Sequence, residues 1–204
     1  MTDLKALRNT EMARWKAAKI LPVYQHLLGT VAQRLVNAKH RYQLVEAVTH
    51  VPWPVIAVVH ERESSQSWSA SLAQGDPWNR VSIHVPRGRG PFHSWEEAAE
   101  DALIHCAPFA AKWQDWTIGG ALVLLDEYNG LGYANGPFDH ATGHRYPPQA
   151  SPYIWASTDQ YHKGKYIADG HFDPEAIDHQ LGCAAMLLSM AVIDPSVSGE
   201  FTHA

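Results

Sequence analysis

The sequence predicts a mainly α chain of α+β class, with a small β-hairpin or three-stranded sheet inserted after the helix that ends at Glu63. Three observations carry this. Apolar residues recur at helical spacing through most of the chain. The stretch from Ser64 to Phe92 turns polar and rich in glycine and proline, and holds one alternating run, Val81-Ser82-Ile83-His84-Val85. Finally, 204 residues at 46% hydrophobic and 18% charged suit one compact domain with a sizeable core.

Residues 3–20 and 22–39 read as two helices broken near Leu21-Pro22, the second with Leu27, Leu28, Val31 and Leu35 at helical spacing and ending in Lys39-His40-Arg41. Tyr42 to Thr49 then leads through His50-Val51-Pro52 into a helix that runs apolar to its last turn and ends in His60-Glu61-Arg62-Glu63. Pro52 and Pro54 suit its first turn, where a missing N–H costs little. Gly75-Asp76-Pro77 is a turn signal before the expected strand at Val81–Val85.

Ser94-Trp95-Glu96-Glu97 has the form of a capping box, opening a helix through about Cys106. Thr117 to Tyr128 reads as another apolar helix, with Gly130 suited to the left-handed position beyond its end. Residues 129–172 form a long loop-rich region, a length that in a compact domain implies function or a short hidden helix. Asp173-Pro174-Glu175 is expected to cap a last helix with the stripe Ile177, Leu181, Ala184, Leu188, Val192, stopped by Asp194-Pro195.

Composition excludes several functions. A net charge of -5 argues against nucleic-acid binding on a basic surface. Cys106 and Cys183 sit in apolar helical patterns and read as buried free thiols, and two cysteines are too few for a cysteine-based zinc site. Among 13 histidines, His140 and His144 are spaced by four but lie among prolines and glycines, and no H-E-x-x-H occurs, so neither metal nor other cofactor is expected. The start, Met1-Thr2-Asp3-Leu4-Lys5, lacks a secretion signal's apolar run, and no stretch approaches a membrane span, so synthesis and folding in the cytoplasm, without membrane insertion, are expected.

The chemistry concentrates where the apolar helix runs out. A carboxyl delivered to the rim of a core is partly desolvated, which raises its pKa and keeps it protonated near neutrality, the requirement for protonating a glycosidic oxygen. Glu61 and Glu63 compete for this role, since two residues apart on a helix means about 200° of rotation and only one can face a cleft. Both faces of the helix are apolar, and the pattern alone does not choose between them.

Several segments together resemble bacterial and prophage proteins of the lysozyme superfamily, related to goose-type lysozymes and lytic transglycosylases. They are His60-Glu61-Arg62-Glu63-Ser64-Ser65, Gly75-Asp76-Pro77, His84-Val85-Pro86-Arg87-Gly88-Arg89-Gly90-Pro91-Phe92 and Trp95-Glu96-Glu97-Ala98-Ala99. Tyr128-Asn129-Gly130-Leu131-Gly132-Tyr133 and Ser157-Thr158-Asp159-Gln160-Tyr161-His162-Lys163-Gly164-Lys165-Tyr166 belong to the same likeness. The resemblance spans roughly residues 43–195, which divides the chain into N-terminal helices at 1–42 and a lysozyme-like glycosidase domain at 43–204. It implies a peptidoglycan hydrolase, an endolysin-like muramidase cutting the β-1,4 bond between N-acetylmuramic acid and N-acetylglucosamine, with Glu63 as the general acid. Such an enzyme acts on the cell wall after release and is expected to be a monomer.

Asp76 is the candidate second carboxylate, on the expected hairpin, to orient water, attack as a nucleophile or stabilise oxocarbenium charge; it serves equally to shape its own turn. Asp159 is a further candidate. Trp68, Trp78, Tyr128, Tyr133, Tyr153, Trp155, Tyr161 and Tyr166 fall in expected loops beside Asn79, Asn129 and Gln160. Aromatic faces beside amides suit sugar rings, which are apolar on their faces and edged by hydroxyls. Alternatives kept open are a lytic transglycosylase, in which the muramyl 6-hydroxyl replaces water, a chitinase- or chitosanase-like glycosidase, and a non-catalytic glycan-binding phage module.

Overall fold

The computed structural model describes residues 2–73 and 75–201. The fold is mainly α with small β-hairpins. Helices α1 (Leu4–Ala17), α2 (Gln25–Asn37), α3 (Lys39–Thr49) and α4 (Trp53–Ser64) follow in close succession. After an irregular segment come α5 (Trp95–His105) and α6 (Ile118–Tyr128), then strands β1 (Phe138–Asp139) and β2 (His144–Arg145), and the short helix α7 (Pro152–Trp155). Strands β3 (Lys165–Ala168) and β4 (His171–Asp173) precede α8 (Cys183–Ile193) and α9 (Ser196–Gly199).

The middle of the protein is built from helices too apolar to have a solvent face. Every residue of α4 from Trp53 to His60 is buried, as is every residue of α6 from Gly119 to Asp126. In α8, Cys183 to Leu187, Ser189 and Met190 are buried, so this helix behaves as a core rod rather than an amphipathic stripe. α2 lies along α8, α1 along α6, and α3 against both α4 and α5. The N-terminal helices therefore share the core with the rest of the chain, through Leu28, Val31 and Leu35.

Local rules account for the ends of these elements. Asp3 caps α1 by accepting from the amides of Lys5 and Ala6, each at 3.0 Å. Ser94 Oγ accepts from the Glu97 amide at 3.1 Å, while Glu97 reaches back to the amide of His93, one residue before the cap. Thr117 caps α6 through the Gly120 amide at 3.1 Å, and Gly130 follows that helix at φ +69°. Both cysteines are buried free thiols.

Two expectations are corrected. The strand at Val81–Val85 does not form; among the described residues the β pairing lies in 138–145 and 165–173, apart from isolated bridges. Alternation implied that Val81, Ile83 and Val85 face inward, but they are 54%, 70% and 78% exposed, while Ser82 is 6% exposed. The polar residue is the internal one. Ser82 exchanges hydrogen bonds with Arg89 and accepts from Gly88 through its backbone carbonyl, and Asp76 takes the Ile83 and His84 amides that a strand neighbour needs.

The helix expected to start at Asp173 is α8, which begins only at Cys183. Asp173 does bond the Glu175 amide at 2.8 Å, but this closes a local turn. The chain beyond it stays extended because Asp178 is drawn inward to Arg62 and because Gly182 passes against the carbonyls of Ile154 and Ala156.

Candidate functional site

The site starts from the way α4 ends. His60, fully buried in its last turns, hydrogen-bonds Tyr42 Oη through Nδ1 at 3.1 Å and the Ser67 carbonyl through Nε2 at 3.1 Å. A carbonyl only accepts, so Nε2 carries the proton and Nδ1 accepts from the Tyr42 hydroxyl. Tyr42 in turn accepts from Gln66 Nε2 at 3.0 Å. Burial holds the His60 pKa down at about 4, so the ring stays neutral. This network fastens the turn after α4 to α3, and two successive non-glycine residues, Ser65 at φ 52° and Gln66 at φ 56°, occupy the left-handed region there. Strained backbone of that kind is held only where surrounding contacts enforce it.

Glu61, Arg62 and Glu63 leave this helix end in three directions. Glu61 pairs with Arg34 of α2 at 2.7 Å. Arg62 turns inward, where its guanidinium forms an ion pair with Asp178, bonds the Leu181 carbonyl at 3.3 Å and lies 5.0 Å from the Tyr153 ring centre. Glu63 accepts a hydrogen bond from the Tyr153 hydroxyl at 2.7 Å.

The Glu63 carboxyl combines access with crowding. Its residue is open to solvent, yet the surrounding protein is dense enough that burial raises its pKa, against smaller lowering effects of the Tyr153 hydrogen bond and the Arg62 charge. The Glu63 charge also contributes to the raised pKa values of Tyr128 and Tyr153, although burial is the larger cause in both, so the two phenols and the acid share one neighbourhood.

Beside this acid lies a polar cavity of about 490 Å³, with Arg62, Asn129, Pro152, Lys165, Tyr166 and Asp178 among its lining. Tyr133, His140, Asp169 and Gln180 also line it, while Glu63 does not. Its size suits a sugar-sized ligand. The β3–β4 hairpin forms one wall, braced by Tyr133 Oη accepting from the Tyr166 amide at 3.1 Å and by Tyr166 Oη accepting from the Phe138 amide at 2.9 Å.

Asp76 is committed to its own loop. One oxygen accepts from the amides of Ile83 and His84 at 2.9 and 3.0 Å, and the other meets His84 Nδ1 at 2.6 Å. The His84 amide and these further bonds hold its pKa below the ordinary value, whereas burial raises that of Glu63.

Of the aromatic residues expected to bind sugar, several are structural. Trp68 stacks on Tyr42 at 5.4 Å, packs edge-on to His60 and Trp95, and carries the Arg41 guanidinium 3.8 Å from its ring centre, so its faces are covered. Trp78 ties the loop down by donating to the Trp68 carbonyl at 2.9 Å. Trp155 is fully buried and donates to Glu11. Tyr161 is buried, donating to the Gly164 carbonyl and accepting from the Asp178 amide. Asp159 accepts from the Lys19 amide at 2.9 Å and from Gln160 at 3.0 Å, which ties the end of α1 to this segment and occupies both residues. Asn79 is exposed on the loop. Tyr128, Asn129, Tyr133 and Tyr153 are the ones gathered around the acid and the cavity.

Sequence reasoning missed Arg62, Lys165, Asp178 and Gln180 as cavity residues. Arg62 stands between the candidate acids, but its partner Asp178 lies 116 residues away and carries no local signal of the pairing. Among the described residues no group of three or more histidine, cysteine or acidic side chains is arranged to hold a metal ion, and no helix is long and apolar enough to cross a membrane. Compared with models of protein families, with curated proteins and with solved structures, the chain finds no match.

Proposed function

We propose that this chain is a glycoside hydrolase of lysozyme-like fold acting on peptidoglycan, with Glu63 as the general acid. The observation that carries the proposal is the state of Glu63: a solvent-reached carboxyl, raised in pKa by its surroundings, fixed by the Tyr153 hydroxyl and placed at the end of a buried helix beside a polar cavity. Such a carboxyl donates its proton to the oxygen leaving a glycosidic bond, and catalysis of this kind contributes about 10²–10⁴-fold. Tyr153 sets the direction of the carboxyl, and Arg62, pinned by Asp178, holds the phenol ring in place.

Asp76 enters as an ionised group whose oxygens already serve three hydrogen bonds. That suits stabilising positive charge on the sugar better than covalent attack, which needs an uncommitted oxygen. The step is then completed by water, giving a muramidase, or by the muramyl 6-hydroxyl, giving a transglycosylase.

The test is digestion of purified peptidoglycan by the wild type and by Glu63→Gln, with products read by mass spectrometry. Wild-type protein releases muropeptides with reducing muramyl ends if water attacks and anhydro ends if the 6-hydroxyl does, and the variant releases neither. Equal digestion by the variant sinks the reading. Reducing ends released from chitosan instead assign a different sugar, and binding without turnover by both proteins assigns a glycan-binding module.

A further inference from the structure

The cavity beside Glu63 carries charges of both signs. Lys165, at the start of β3, and Asp169, in the turn after that strand, both line it. The buried Arg62 and Asp178, also in the lining, neutralise each other, with side chains 6% and 5% exposed. Asp178 is almost saturated: Oδ2 takes Arg62, and Oδ1 takes the Gln180 amide at 3.2 Å. Lys165 Nζ reaches the same Oδ1 only at 3.4 Å, well outside the 2.7–2.9 Å or so of a committed charge-assisted bond. An ammonium carries three donors, and the Lys165 side chain is 31% exposed. Lys165 therefore offers the cavity a cation with donors to spare, in a lining that also includes Asn129.

We propose that the part of the cavity around Lys165 is a subsite for a carboxylate carried by the substrate, with Lys165 as the specificity-determining residue. The inference rests on the glycosidase reading and deepens it. A glycan strand bearing peptides with free carboxylates is recognised there, whereas an uncharged amino-sugar polymer leaves Lys165 only its long contact to Asp178.

The test uses Glu63→Gln protein, which does not consume its ligand, in a titration with soluble peptidoglycan strands, the same strands with their carboxylates converted to amides, and chitin oligomers. The expected result is at least fivefold tighter binding of the acidic strands than of the amidated ones, a preference lost when Lys165→Gln is added and kept with Lys165→Arg. Raising the salt concentration narrows the same preference in the Glu63→Gln protein, a readout that needs no change at Lys165. A preference that survives Lys165→Gln, or one insensitive to salt, overturns the subsite and leaves the glycosidase reading intact. Failure to bind any of the three ligands overturns both.

Discussion

The Tyr153 hydroxyl donates to Glu63 Oε1 at 2.7 Å, joining the end of α4 to a one-turn helix 90 residues further on. The bond favours the carboxylate, so it moderates a pKa that burial raises. Removing the hydroxyl in Tyr153→Phe raises the Glu63 pKa further. A general acid works only while protonated, so activity falls as pH rises through that pKa, and the alkaline limb of the kcat/KM profile shifts upward in the variant. Looser placement lowers kcat by about two- to tenfold, the worth of one hydrogen bond. An unmoved limb contradicts the coupling.

How much of this was legible in sequence depended on the range of each interaction. The Ser94 box, the Thr117 cap and the left-handed Gly130 obey rules that span four residues, and the structure keeps all three. The Val81–Val85 stretch failed because alternation shows which residues differ, not which side has a core to face; Ser82 and Asp76 supply an internal polar scaffold instead. Trp68 read as a sugar platform because its partners Tyr42 and Trp95 lie 26 and 27 residues away in opposite directions along the chain. The abrupt end of the apolar helix marked Glu61 and Glu63 as rivals, and only the resemblance chose Glu63. Its phenol partner was visible only as one of many loop tyrosines.

A second buried acid site, far along the chain, sets a pH dependence of stability. Asp126 of α6 and Glu11 of α1 are 2% and 1% exposed, and Asp126 Oδ1 meets no hydrogen-bond partner among the described residues. Burial and, secondarily, the Glu11 charge push the Asp126 pKa up to about 7 from 3.8. A carboxyl raised on folding contributes its full stability below its unfolded value and loses it as pH climbs through the folded one. Thermal stability therefore declines between about pH 4 and pH 7. Asp126→Asn flattens that decline and is the more stable protein at pH 8, by of the order of 2–4 kcal/mol if the whole shift is recovered. Melting curves of both proteins from pH 4 to 8 check it.

The Arg62–Asp178 pair is buried on both sides, and cutting one partner leaves the other's charge inside the protein, with only the 3.4 Å contact of Lys165 to offset it when Asp178 is the one left. Arg62→Met and Asp178→Asn are each expected to cost about 3–5 kcal/mol in urea unfolding, whereas the double change costs less than the sum. Since Arg62 also carries the Tyr153 ring, either single variant that still folds loses activity as well.

Asp76 organises the loop that follows α4. Asp76→Ala releases the Ile83 and His84 amides, and their hydrogen exchange is expected to accelerate while that of α4 stays unchanged. The same loop loosens in acid. A carboxylate with a depressed folded pKa contributes above its unfolded value of 3.8 and loses that contribution as pH falls through the lower, folded one. Exchange at these two amides that does not depend on Asp76 removes its structural role.

Gly182 tests whether the frame behind the site matters to the acid. It stands directly before α8, where a Cβ would meet the Ile154 and Ala156 carbonyls at 2.4 and 2.5 Å, both of them backbone at the end of α7. Neither oxygen can rotate away, so Gly182→Ala must push α7 off the start of α8. The strain is expected to cost about 1–3 kcal/mol. Because α7 carries Tyr153, the displacement also lengthens the Tyr153–Glu63 bond, and the variant should show the upward-shifted alkaline limb expected of Tyr153→Phe. Gly199, where an added Cβ meets nothing within 4 Å, is the control, and Gly199→Ala should alter neither unfolding nor the pH profile. A Gly182→Ala protein that is destabilised but keeps the wild-type profile separates the packing of α7 from the chemistry of Glu63.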